Sequence, residues 1–129
     1  TLGGVIGFVV SYLASVSWTI GASASVCSLA GALLYYGKSR GGVYGRTLYK
    51  QIGIWVVMLF IFGIVIPMIN NWAHGGGIAA GIGLGFALGY QERKKENIFH
   101  KLLAGGLAVL TLMILAWAIL SGIYYRFTV

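Results

Sequence analysis

Three stretches of this chain carry no Lys, Arg, Asp or Glu: Thr1–Gly37, Gln51–Gln91 and Leu102–Tyr125, of 37, 41 and 24 residues. A soluble domain carries charge at roughly every fourth position, so uncharged runs of this length belong in hydrocarbon. One helix crosses a bilayer with about 20 residues. The first two runs must therefore each fold back on themselves, and the third crosses once. Five spans result.

The turns can be located. In the first run the polar, glycine-bearing stretch Ser15–Gly21 is the place for a reversal. In the second, the sole proline of the chain, Pro67, and the pair Asn70-Asn71 interrupt the apolar pattern. Spans are expected at 2–16, 22–37, 52–66, 73–90 and 102–124. The fold class is an all-α membrane protein, a single transmembrane domain over residues 1–129. With 59% hydrophobic and 9% charged residues and a mean hydropathy of +0.90, no soluble class competes.

Charge sets orientation. Lys38, Arg40, Arg46 and Lys50 fall in the second connection, and Arg93, Lys94, Lys95 and Lys101 in the fourth, while Arg126 stands alone at the other end. The positive-inside rule puts the basic loops 38–50 and 92–101 in the cytoplasm. The formal net charge of +7 thus reports topology. It flanks spans and forms no polar domain, so nucleic acid is not an expected partner. The partner that the charge pattern implies is the lipid bilayer. A multi-pass protein is expected, in the inner (plasma) membrane if the source is bacterial. Thr1-Leu2-Gly3-Gly4 runs almost directly into a span without a signal-peptide pattern, and the chain is expected to be a piece of a longer protein.

Two side chains stand out against this apolar background. Ser23, in Gly21-Ala22-Ser23-Ala24, begins the second span, and His74, in Asn71–Gly81, begins the fourth. Both spans run inward from the outer face. At about 1.5 Å rise per residue the two side chains lie at nearly equal depth. A hydroxyl and an imidazole that meet there make a nucleophile and its general base. Small residues follow each on one face: Cys27, Ala30 and Gly31 after Ser23, and Gly77, Gly81, Gly85 and Gly89 at four-residue spacing after His74. That is the small-xxx-small pattern by which membrane helices approach closely. The plainer readings are packing for the glycines and Cys27, and back-bonding to a helix carbonyl for Ser11, Ser25 and Ser28 and for Ser23 taken alone. His100 lies in the basic connection and reads as an interfacial side chain.

Other chemistries fail on inventory. The chain has no Asp, and Glu92 and Glu96 stand among the lysines, a bilayer away from Ser23. A carboxylate triad is therefore ruled out within the chain, and a dyad is the most it can assemble. His74 and His100 fall on opposite sides of the membrane and cannot share one metal or haem. No charged group lies within a span to carry protons or cations. No cofactor is implied, and the termini give no lipidation signal.

These residues resemble the rhomboid family of intramembrane serine proteases. That family has G-x-S-G at the start of its fourth span and A-H-x-x-G-x-x-x-G in its sixth. Here Ala73-His74-Gly75-Gly76-Gly77-Ile78-Ala79-Ala80-Gly81 matches the second in full, and Gly21-Ala22-Ser23-Ala24 differs from the first only at Ala24. Leu29–Gly37 and Asn71-Trp72 also resemble the family's sequence. By this alignment the chain supplies spans three to seven of a rhomboid-like helical bundle.

The resemblance implies Ser23 as nucleophile and His74 as general base and then acid, with the backbone N–H of Ser23 in the oxyanion site. It implies 66–72 as a cap over the site and 52–66 as the mobile gate. The family's second span supplies a histidine and an asparagine to the oxyanion site, so the missing N-terminal helices of the parent protein are implied partners, and the fragment alone is expected to be inactive. The substrate implied is a single-span membrane protein cut near the outer face. The alternative is a catalytically inactive rhomboid-like subunit packed against neighbouring membrane subunits in a larger complex.

Overall fold

A computed structural model describes residues 1–16, 21–89 and 97–128. It has five helices: α1 (Leu2–Leu13), α2 (Ser23–Arg40), α3 (Gly42–Val65), α4 (Asn71–Leu88) and α5 (Ile98–Thr128). Among the described residues there is no strand. The described parts of Thr1–Tyr90 form one compact unit and those of Gln91–Val129 a second.

The helix ends depart from the expected spans for local reasons. The first span was expected to reach residue 16, but α1 stops at Leu13. Ser15 adopts a left-handed φ of 57°, its N–H bonds Tyr12 O at 2.9 Å, and the Val16 N–H reaches back to Ser11 O at 3.2 Å. This pair of bonds is a Schellman end with serine in the place usually held by glycine. Residues 17–20, the rest of the expected reversal, lie outside the described residues.

The basic connection 38–50 is not a loop. Helix α2 runs through Lys38 to Arg40, a turn at Gly41 follows, and α3 is already helical at Gly42. Gly41 and Gly42 both have φ of 65°, which glycine adopts without steric cost. Charged residues therefore extend both helices instead of breaking them. The expected basic segment 92–101 divides: residues 92–96 lie outside the described residues, and His100 and Lys101 are already in α5.

Helix α3 ends where expected. Ile66 is extended (φ −105°, ψ 108°), the conformation favoured before a proline. Asn70, expected only to interrupt a span, is the N-cap of α4: its Oδ1 accepts from the Ala73 N–H at 3.1 Å. Helix α4 ends at Leu88, so the expected boundary at residue 90 falls beyond the described helix.

Packing in the first unit rests on small residues. A Cβ placed on Gly77 would collide with the carbonyl of Ala24, one on Gly81 with the carbonyl of Ser28, and one on Gly31 with the carbonyl of Ile78. Ala24–Gly77, Ser28–Gly81 and Tyr35–Gly85 rise together along both chains, so α2 and α4 are parallel, and their backbones nearly touch. Helix α1 runs antiparallel to both: Gly7 meets Ala24 and the backbone at Ala73 and Gly77, Gly76 meets Val10, and Gly3 and Gly4 meet the side chains of Ser28 and Ser25. Those two serines thus fill the bare surface of α1.

The interior is correspondingly fine-grained. Among the described residues the largest fully buried side chain is Ser11, at 0% exposure, whereas Trp55 and Trp117 are each 74% exposed and Met68 is 94% exposed. A fold whose bulky apolar residues point outward suits lipid. By length and composition, α3 and α5 are each sufficient to cross a membrane, with mean hydropathies of 2.0 and 2.4. Helix α1, with 12 residues, spans only about 18 Å.

Candidate active site

The site residues stand at the N-terminal ends of the two parallel helices. Gly21, with φ of 106°, turns the chain into α2, Ala22 is the N-cap and Ser23 is the first helical residue. As the first residue, Ser23 has a backbone N–H with no acceptor within its own helix. Helix α4 begins two residues before Ala73, and His74 closes its first turn through an N–H bond to Asn70 O at 3.2 Å.

The Ala24–Gly77 and Ser28–Gly81 pairings set Ser23 opposite Gly76, so His74 lies two residues, about 3 Å, nearer the N-terminal end of its helix. Their surroundings differ. His74 is 5% exposed, while Ser23 is exposed and Ala24, one position on, occupies the buried face. Among the described residues no hydrogen bond joins the two side chains, and His74 Nδ1 is buried without a partner. Ser23 and His74 thus stand at neighbouring helix starts, offset along the axis and not bonded.

The remaining expected positions sort by their contacts. Gly31, Gly77 and Gly81 lie in the α2–α4 contact. Gly85 faces the ring of Tyr35, with a Cβ there 3.0 Å from Tyr35 Cδ1, and Tyr35 packs edge-on to Phe86 at 6.3 Å. Gly89 takes no part in that packing: it is the exposed C-cap of α4, with φ of 74°. The four-residue spacing carried it into the stripe, but the helix ends before it. Cys27 is buried with its Cβ against Gly77.

Two polar residues had been read as a break, and Asn71 also as part of the family resemblance, but neither as a site residue. Besides capping α4, Asn70 donates through Nδ2 to Ser11 Oγ at 2.5 Å, tying the end of α1 to the start of α4 four residues before His74. Asn71 sits flush on Gly63 of α3, and its Oδ1 is buried without a partner. Asparagine directly before an apolar helical run is a start signal, and that was the available clue. Gly63, Pro67, Met68, Asn70, Asn71 and Trp72 line a cleft of about 630 Å³ beside this end of α4.

This construction has a family behind it. The rhomboid domain model matches residues 1–91, and the chain belongs to the rhomboid family. Together with its two long apolar helices, this makes it an integral membrane protein. One similar protein is the rhomboid protease GluP of Bacillus subtilis (strain 168), 29% identical over 111 residues, which cover 86% of this chain and 21% of that protein. The chain therefore spans about a fifth of that relative's length. No solved structure matches.

Proposed function

We propose that the intact protein is an intramembrane serine protease using Ser23 and His74 on a single-span substrate near the outer membrane face. The observation that carries this reading is that Ser23 and His74 stand in the first turns of two parallel, closely packed helices in a rhomboid-family chain. The GluP relative's name as a rhomboid protease supports the same reading here.

In the first step Ser23 Oγ forms a bond to the scissile carbonyl carbon while its proton passes to His74. The carbonyl oxygen takes the negative charge and accepts from the Ser23 backbone N–H at the start of α2. Collapse breaks the C–N bond, and His74 returns the proton to the leaving amine. A water then attacks the acyl-serine, His74 takes its proton, and the carboxylate product leaves with Ser23 restored. The Ser23 hydroxyl turns toward the imidazole as substrate binds, since catalytic hydrogen bonds are often long in unliganded sites.

In this reading 66–72 caps the site, 52–66 forms the gate, and the helices of the parent protein outside this chain complete the oxyanion site. The basic ends of α2, α3 and α5 face the cytoplasm, in the plasma membrane if the source is bacterial. The exposure of Ser23 and its lack of a bond to His74 favour a second reading, an inactive rhomboid-like subunit that binds neighbouring membrane proteins. Reconstitution of the intact protein in liposomes with a fluorogenic single-span reporter separates them. Cleavage by wild type that is lost in Ser23→Ala supports the protease. Cleavage that survives Ser23→Ala, or none under conditions where an active relative cuts, rejects it.

A further inference from the structure

The buried polar inventory leaves two atoms unpaired among the described residues: Asn71 Oδ1 and His74 Nδ1. They lie three residues apart in the first turn of α4, a spacing that puts two side chains on the same side of a helix within reach of each other. One is a carbonyl acceptor. The other is a ring nitrogen that either donates or accepts according to tautomer. A buried polar group without a partner is costly, and each of these is what the other lacks.

We infer that Asn71 is the positioning residue of His74, with Asn71 Oδ1 accepting the Nδ1–H of the imidazole directly or across one water. The inference rests on the protease reading for its consequence in catalysis, but its chemistry is local to α4. A histidine that takes the serine proton on Nε2 must carry its own hydrogen on Nδ1, and an acceptor there selects that tautomer and holds the ring. Carboxylates do this elsewhere. This chain has no Asp, and its two glutamates are at positions 92 and 96, so a neutral amide is what the first turn of α4 offers. Cys-His-Asn enzymes show that an amide suffices.

The third element of the arrangement is α3. A Cβ on Gly63 would fall on the Oδ1, Cγ and Nδ2 atoms of Asn71, so the bare α-carbon of Gly63 is the seat against which the amide rests. Among the described residues of Thr1–Tyr90 no charged side chain competes here. Of the helices packed at this end, α1 brings Tyr12, which is exposed, α2 brings Cys27 one turn further in, and α3 brings no titratable group between Gln51 and Val65.

Nitrogen-15 NMR of histidine-labelled intact protein in detergent or nanodiscs reads the imidazole tautomer without any need for activity. His74 is expected to hold its hydrogen on Nδ1 in wild type and to become a mixture of tautomers in Asn71→Ala. Gly63→Ala, which displaces the amide while leaving every polar group of α4 in place, is expected to reproduce that change. In the cleavage assay Asn71→Ala and Gly63→Ala should each lower kcat on the order of 10- to 100-fold with little change in KM, and the double variant should lose no more. Asn71→Asp should keep activity and move the acidic limb of the kcat profile to higher pH, since a carboxylate favours the imidazolium. An unchanged tautomer in both Asn71→Ala and Gly63→Ala overturns the inference. So does an active Asn71→Ala enzyme with the wild-type pH profile. An inactive wild type that still shows the Asn71-dependent tautomer supports the pairing and rejects only the protease reading.

Discussion

Ser11 and Asn70 carry more of this fold than their size suggests. One hydroxyl and one amide join α1 to the N-cap of α4, and Ser11 is wholly enclosed. Ser11→Ala removes a hydrogen bond from the interior, at a cost of about 1 to 3 kcal/mol. Asn70→Ala loses the same bond together with the cap, which is worth about 1 kcal/mol more. Thermal unfolding of the intact protein in detergent should therefore rank wild type above Ser11→Ala and Ser11→Ala above Asn70→Ala. Equal melting temperatures for Asn70→Ala and wild type would show that the tie bears no load. Ser11 was read from sequence as a back-bonding serine and Asn70 as a break, because periodicity identifies the apolar face of a helix but not which polar side chain crosses to another helix. Ser23 and His74 were singled out because a hydroxyl and an imidazole at the starts of uncharged spans are candidates for chemistry. The exposure of the one and the burial of the other depend on how the helices are turned, which the spacing does not set.

At the level of elements, the contact between α2 and α4 was the most legible feature. Glycines at four-residue spacing imply close approach, and Gly77 and Gly81 lie against carbonyls of α2. The stripe did not reveal its own end: Gly85 meets an aromatic ring and Gly89 caps the helix. A matched pair of substitutions tests the contact. Gly81→Ala drives a methyl into the Ser28 backbone and should cost about 1 to 3 kcal/mol, whereas Gly83, with nothing within 4 Å of an added Cβ, should tolerate alanine or gain up to about 1 kcal/mol from its higher helix propensity. Similar losses for both would mean that α2 and α4 are not in close contact. Helix boundaries were less legible, and the reasons are local. Ser15 makes a glycine-like end to α1, and the glycines at 41 and 42 allow a turn so short that the basic residues stay helical.

For the whole molecule, composition and fold agree: among the described residues the buried apolar side chains other than Ile78 are small, and many bulky ones are exposed, the arrangement expected of helices packed in lipid. The proposed orientation has its own check. In a Cys27→Ala background, Ser39→Cys at the exposed end of α2 should react with a membrane-impermeant maleimide from the cytoplasmic side alone. Met68→Cys, in the exposed segment after α3, should react from the outer side alone. The reverse pattern would invert the topology and put Ser23 and His74 at the cytoplasmic face.

The central claim, that Ser23 is a nucleophile activated by His74, is tested most directly by labelling the intact, membrane-embedded protein with a fluorophosphonate probe alongside Ser23→Ala and His74→Ala. Labelling of wild type that vanishes in both variants is the expected result, because the probe bonds only to a serine whose proton is removed as it attacks. A folded wild type that stays unlabelled where an active relative reacts, or labelling that persists in Ser23→Ala, would contradict the account.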